Sequence, residues 1–148
     1  GNGDGGFEIS NCGSVEIDHS TANGNDDRGI LLSGCDSVAI HRSTASRNSL
    51  EGVVLSSCDS VAIDHVMASY NGADGLRVHN SGDVAISIFR AMRNGEDGIN
   101  ISNSGDIDLT YVWLLFNGDD GADVSGSGTV DRVGVFAKFN ADNDIIIT

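Results

Sequence analysis

No stretch of 18 apolar residues occurs in this sequence, so no membrane-spanning helix is expected. Basic residues are scarce: 8 Lys and Arg stand against 22 Asp and Glu, for a net charge of −14. Nucleic acid and anionic membrane surfaces both need cations to bind them, so both are excluded as partners, whereas cations and basic partners are permitted. Gly1 to Gly6 show no basic region followed by an apolar stretch, so no leader peptide is read there. Three cysteines occur without a Cys-x-x-Cys pair, which argues against a zinc knot. Proline is absent and aromatics make up 5% of the chain, beside 20 glycines and many Ser, Asn and Asp. Such a composition fits disorder, yet 39% of residues are apolar and evenly spread, so a core can form. At 148 residues one domain, spanning 1–148, is expected.

What is present is a repeat of 23 residues that does not slip. Glycine recurs at Gly6, Gly29, Gly52, Gly75, Gly98 and Gly121, with Asp144 next in line. Asparagine recurs at Asn2, Asn25, Asn48, Asn71, Asn94, Asn117 and Asn140. The chain therefore holds six coils and part of a seventh. Within each coil, period-two alternation marks three short strands. The first buries columns such as Ile30, Val53, Leu76 and Ile99; the second, Val38, Val61, Val84 and Ile107; the third, Ala45, Ala68 and Ala91. The intervening turns are too short for crossover helices, so each strand must pair in parallel with its equivalent in the next coil, about 4.8 Å away. Parallel crossovers are right-handed in about 98% of cases. The expected fold is all-β: a right-handed parallel β-helix, or solenoid. Arg132 breaks the aliphatic pattern of the second strand, which implies either a bulge or an end open to solvent.

Two further columns have structural readings. An inward Asn at each coil can bond the Asn above and below, satisfying buried amides along the stack. Cys12, Cys35 and Cys58 share a column with Ser81, Ser104 and Ser127, a small inward turn position. Free thiols are favoured there, with one disulfide between adjacent coils as the alternative.

The pattern Asn-Gly-x-Asp-Gly-[Ile/Leu]-x-[Ile/Val], strongest at Asn71–Leu76 and Asn94–Ile99, resembles the β-helix repeat of the pectate-lyase-like superfamily. It is most similar to repeats of mannuronan C5-epimerases and related polysaccharide-modifying proteins, and the resemblance runs the length of the chain. Polygalacturonases are also similar, and the resemblance sets Asp119 and Asp120 where their paired catalytic aspartates lie. The His-Gly pair and the Arg-Ile-Lys of that family are missing, as is the Asp-Pro-His-Glu of the epimerases. No catalytic set carries over whole.

Three constellations remain as candidates for chemistry. The residue before the repeated glycine is Glu51, Asp74, Asp97 and Asp120 in successive coils, flanked by Glu96 and Asp119. Stacked carboxylates repel and raise one another's pKa unless a cation or proton intervenes. Asp97, Asp119 and Asp120 are the catalytic candidates; Asp74, Asp97, Asp120 and Glu96 are the candidate Ca²⁺ ligands, since Ca²⁺ takes oxygen donors. A solvated Asp-Gly turn would carry the same residues. The second constellation is Asp18-His19, His41-Arg42 and Asp64-His65, one coil apart, read chiefly as a solvated network. In the third, outward positions of the late third strand turn apolar: Tyr111, Trp113, Leu115, Phe116, Phe136 and Phe139 are the candidate interface. A surface this apolar implies cover by a protein partner, self-association or sugar rings.

Two function classes follow. One is an extracellular or cell-surface module resembling carbohydrate-active proteins, binding or modifying polysaccharide. The alternative is a structural or assembly module of a fibre, appendage or adhesin, stacking end to end. Neither terminus reads as a cap, so a segment of a longer solenoid is expected.

Overall fold

The computed structural model describes residues 3–148; Gly1 and Asn2, the latter the first of the asparagine column, lie outside the described residues. One seven-stranded parallel sheet stacks the first strand of every coil: β1 (Phe7–Ser10), β3 (Ile30–Ser33), β5 (Val53–Ser56), β7 (Leu76–His79), β9 (Ile99–Ser102), β11 (Ala122–Ser125) and β14 (Ile145–Ile147). A second sheet stacks β2 (Ser14–Asp18), β4 (Ser37–His41), β6 (Ser60–Met67), β8 (Asp83–Met92), β10 (Ile107–Leu115) and β12 (Val130–Val133), with β13 (Phe136–Lys138) also paired to β10. Every pairing is parallel with a 23-residue offset, as in Ile30↔Val53 and Val61↔Val84. No helix is present among the described residues.

The third side of each coil is annealed to the second. In β6, β8 and β10 one strand runs through both, while earlier coils hold the third side by the bridges Thr21↔Thr44 and Thr44↔Met67. The bend comes from a single residue with φ near +50°. All fourteen described non-glycine residues with positive φ, and the four such glycines, fall into three columns headed by Asn11, His19 and Gly24. Each coil thus has three left-handed corners, which give it three sides. Arg132 pairs with Leu109 without a bulge, and it is exposed in β12, the last strand of its sheet.

Inside, aliphatic columns from all three sides meet. Ile30, Leu55, Leu76, Ile99, Ile63 and Phe89 are among the side chains completely or almost completely shielded. Both faces of a parallel sheet usually need cover; here the inner faces cover each other.

The asparagine column is the most fully bonded feature. Asn71 Nδ2 donates to Asn94 Oδ1 of the next coil at 3.1 Å and to the Ala45 carbonyl of the previous one at 3.1 Å. Its Oδ1 accepts from the side chain and backbone N–H of Asn48, each at 3.1 Å. The same set repeats at Asn48, Asn94 and Asn117. The glycine column exists to admit this ladder. A Cβ on Gly52 would lie 2.6 Å from Asn71 Nδ2 and 2.7 Å from the Gly75 carbonyl. Space, not backbone freedom, demands glycine there.

The three cysteines are free, with Cys35 and Cys58 buried. Cys58 Sγ donates to the Ser56 carbonyl at 3.5 Å, and Ser81 Oγ makes the equivalent bond to the His79 carbonyl at 3.2 Å. Thiol and hydroxyl are interchangeable here because both reach the carbonyl two residues back.

Two outcomes follow. Asn71→Ala removes four hydrogen bonds and strands buried polar groups in three coils, so urea unfolding should show a loss of about 3 kcal/mol or more. Denaturation without reductant should expose three thiols to a chromogenic reagent, and Cys58→Ser should shift stability by less than about 1.5 kcal/mol.

Candidate functional site

The acidic column occupies the turn between the asparagine ladder and the first sheet. Glu51, Asp74, Asp97 and Asp120 are buried there, not solvated. The burial is possible because each aspartate binds the next coil's backbone. Asp74 Oδ1 accepts from Asp97 N–H at 3.0 Å, Asp97 Oδ1 from Asp120 N–H at 2.9 Å, and Asp120 Oδ1 from Asn143 N–H at 2.7 Å. One oxygen of each of these three aspartates is therefore committed to the fold.

The column divides into two halves. In the first, Glu51 lies between two arginines: Arg77 donates to Oε1 at 3.0 Å, while Arg28 Nε lies 3.0 Å from Oε2 as an ion pair out of line for a hydrogen bond. Asp74 Oδ2 is buried with no hydrogen-bond partner and has Arg77 Nε 3.7 Å away. In the second half, Asp97, Asp119 and Asp120 each bring a carboxylate oxygen within 4.8 Å of the others. Asn100 donates to Asp97 Oδ2 at 2.8 Å. No cation side chain pairs with this trio among the described ion pairs. Of the residues singled out by sequence, the structure thus brings together Asp97, Asp119 and Asp120. Asp74 is held apart by its arginine, and Glu96 is exposed outside the trio.

The protonation of the column follows from this geometry. Burial pushes Asp74 up to about 7, the Asp97 and Glu96 charges add to the rise, and the Asp97 N–H and Arg77 oppose it. Burial also raises Asp97, with the Asp120 and Asp119 charges adding to it against the bonds from Asp120 N–H and Asn100. Asp123, outward on β11, is raised by burial and by the Asp120 and Asp119 charges.

Beside the column, the outer face of the first sheet carries an open groove of about 310 Å³ lined by Arg77, His79, Asn80, Asn100, Ser102 and Asn103. Arg77 and Asn100 belong to both features: each binds the acidic column and lines the groove. Sequence reading missed these two. The signal was the spacing of three from Asp74 and Asp97, which sets the side chain on the first strand beside the carboxylate.

The histidine constellation forms paired contacts and not one site. His19 Nδ1 lies 2.9 Å from Asp18 and His65 Nδ1 2.7 Å from Asp64. Asp64 also accepts from Ser87 Oγ, which with His65 holds its carboxyl below the usual range. Asp18 is lowered by His19 in the same way.

The late third side places its aromatics outward. Tyr111, Phe116, Phe136 and Phe139 are exposed, and Trp113 and Leu115 are half-buried. Arginines interleave with these rings. Tyr70 lies between Arg47 at 5.7 Å and Arg93 at 5.6 Å, Arg93 also covers Phe116 at 5.6 Å, and Phe116 stacks on Phe139 at 5.1 Å. Arg90 covers Trp113 at 5.3 Å.

The raised carboxyls set the pH response of stability. Between about pH 4 and 7 the folded chain keeps a proton on Asp74 that the unfolded chain has released. Stability should therefore fall as pH rises through that window and level off above it, with Asp97 and Asp123 contributing in the same sense. Asp74→Asn keeps an oxygen for the Asp97 N–H, so thermal unfolding of that variant should show a much flatter profile over the same range.

Comparison with known proteins agrees with this architecture. A doubly substituted form of the periplasmic alginate epimerase AlgG superimposes with a TM-score of 0.83 at 19% identity, over 97% of this chain and 36% of that one. AlgG itself gives 0.66 at 20% identity, over 95% and 42% of the two chains. A singly substituted form gives 0.69 at 18% identity, over 99% and 43%. These likenesses are of fold, and this chain spans about two fifths of those proteins. No curated protein matches the chain. The family model described as the right-handed beta helix region matches residues 1–144. With its 23-residue coils, parallel sheets and three corners, the chain belongs to the right-handed β-helix family.

Proposed function

We propose that the chain is a carbohydrate-active β-helix module that engages an acidic polysaccharide along the outer face of the first sheet, with Ca²⁺ at the Asp97–Asp119–Asp120 trio. The observation that carries the reading is the convergence of three carboxylate oxygens within 4.8 Å, joined through Asn100 to an open groove. The donor set fits the ion: hard oxygen ligands suit Ca²⁺, which takes six to eight of them, and the rest come from water or from a carboxylate of the polymer. A bound ion would offset two of the trio's three negative charges and weaken the repulsion of an anionic chain. Arg77 and His79 in the groove supply further donors. The role of these residues is recognition of the polymer, with no bond made or broken. Likeness of fold to alginate epimerases supports a polysaccharide as ligand, and the periplasmic setting of AlgG supports a place outside the cytoplasm.

A second reading, a structural or assembly module, is favoured by one fact: an oxygen of both Asp97 and Asp120 is already engaged in inter-coil bonds. Calorimetry and thermal unfolding separate the two. Millimolar Ca²⁺ should raise the thermal midpoint by mass action. Asp97→Asn with Asp119→Asn should remove most of that rise, and an oligouronate should bind more tightly with Ca²⁺ than without it. A midpoint indifferent to Ca²⁺, together with no calcium-dependent oligouronate binding, would leave the structural module as the better reading.

A further inference from the structure

The third side of the solenoid differs in charge from the rest of the molecule. It runs from the second corner to the asparagine of each coil: residues 19–25, 42–48, 65–71, 88–94, 111–117 and 134–140. None of these segments contains an acidic residue, although the chain has 22. They do contain Arg42, Arg47, Arg90, Arg93 and Lys138, which is five of the 8 lysines and arginines. All four of these arginines are exposed. A strongly acidic protein thus keeps one side free of acid and concentrates its cations there.

The cations are also placed in order. Arg42 and Arg47 share one coil, and Arg90 and Arg93 share the coil two further on. At about 4.8 Å per coil, the two rows lie about 10 Å apart. Between them lies an apolar row, Met67 and Tyr70, and beyond them Trp113. Stacking holds the arginines in place: Arg47 and Arg93 sandwich Tyr70, Arg93 donates to Tyr70 Oη at 2.7 Å, and Arg90 lies over Trp113. Part of the cost of ordering three of the four long side chains is thereby met before any ligand arrives, while Arg42 lies 3.8 Å from Asp18 at the edge of this side. A groove of about 370 Å³ runs across this side, lined in part by Arg42, Thr44, His65, Met67 and Arg90.

We infer that this side is a binding surface for an extended carboxylated polysaccharide lying parallel to the solenoid axis, one sugar per coil. In an extended chain of linked pyranoses, substituents on alternate residues face the same way. Carboxylates of every second uronate then meet the arginine rows, while the ring between them rests on Met67 and the edge of Tyr70. Tyr70 is already covered by Arg47 and Arg93, Trp113 by Arg90, and Phe116 by Arg93 and Phe139. Ring stacking on sugar is therefore secondary, and arginine–carboxylate pairing carries the recognition. This surface is distinct from the Asp97–Asp119–Asp120 trio and requires no metal.

The test is calorimetric titration of the full chain, in EDTA so that the acidic trio is silent. The probes are an oligouronate, its neutral counterpart and an oligoglutamate of equal length. The oligouronate should bind, weaken with salt, and weaken at least tenfold in the Arg47→Gln, Arg93→Gln double variant. Arg42→Gln with Arg90→Gln should have a similar effect, and Asp97→Asn with Asp119→Asn should have none. Thermal unfolding of each variant confirms that the fold is kept. No oligouronate binding in EDTA, equal binding of the neutral sugar, or indifference to both arginine pairs would overturn the proposal. Equal or tighter binding of oligoglutamate would overturn it in favour of an acidic protein partner. Because the trio variant keeps the arginines and the arginine variants keep the trio, failure at one surface leaves the other readable.

Discussion

The asparagine ladder is the interaction on which the remaining geometry depends. A side-chain amide that bonds the amides above and below works only if every coil returns to the same place, one strand spacing along. One residue too many would carry the next asparagine out of line and leave buried donors and acceptors in three coils without partners. The glycines follow from the ladder, since the chain passing beside the amide has no room for a Cβ. The 23-residue period is thus held by a hydrogen-bond requirement, with hydrophobic columns filling the space it encloses.

Strict registry explains how carboxylates can be stacked and buried. In an irregular turn, four acidic side chains one above another would repel and splay. Here the coil beyond each aspartate presents a backbone N–H at bonding distance, which offsets part of the desolvation and mutual repulsion. What differs along the column is the neighbour on the first strand. Arg77 neutralises the early members, and Asn100, without charge, leaves the later ones open. The same registry turns the column headed by Gly24 into a stack of guanidinium groups and rings, because Arg47, Tyr70, Arg93, Phe116 and Phe139 all occupy the same left-handed corner.

The fold was legible because a solenoid writes its contacts into its period: residues 23 apart touch, so reading down a column is reading a contact list. The ladder, the thiol–hydroxyl column and the inward strands were all visible in that way. The junction of the second and third strands was not, because one left-handed residue at Ile88 or Tyr111 bends a strand without a glycine to announce it. Convergence of Asp97, Asp119 and Asp120 followed from registry. The pairing of Asp74 with Arg77 did not, since it joins different columns. The arginine stack escaped for a different reason. Down that corner column cations and rings alternate as Arg47, Tyr70, Arg93 and Phe116, so no run of one residue type marks it.

The ladder also has a direction. Every rung donates from Nδ2 toward the higher-numbered coil and accepts through Oδ1 from the lower one. The amide dipoles therefore add along the axis instead of cancelling, as peptide dipoles do in a helix and do not in an ordinary sheet. The molecule is a vector as well as a rod. Any coil joined to either face of the stack must carry the same orientation to continue the line of amides, so growth by this mechanism is polar, head to tail, and a reversed neighbour would oppose donor to donor.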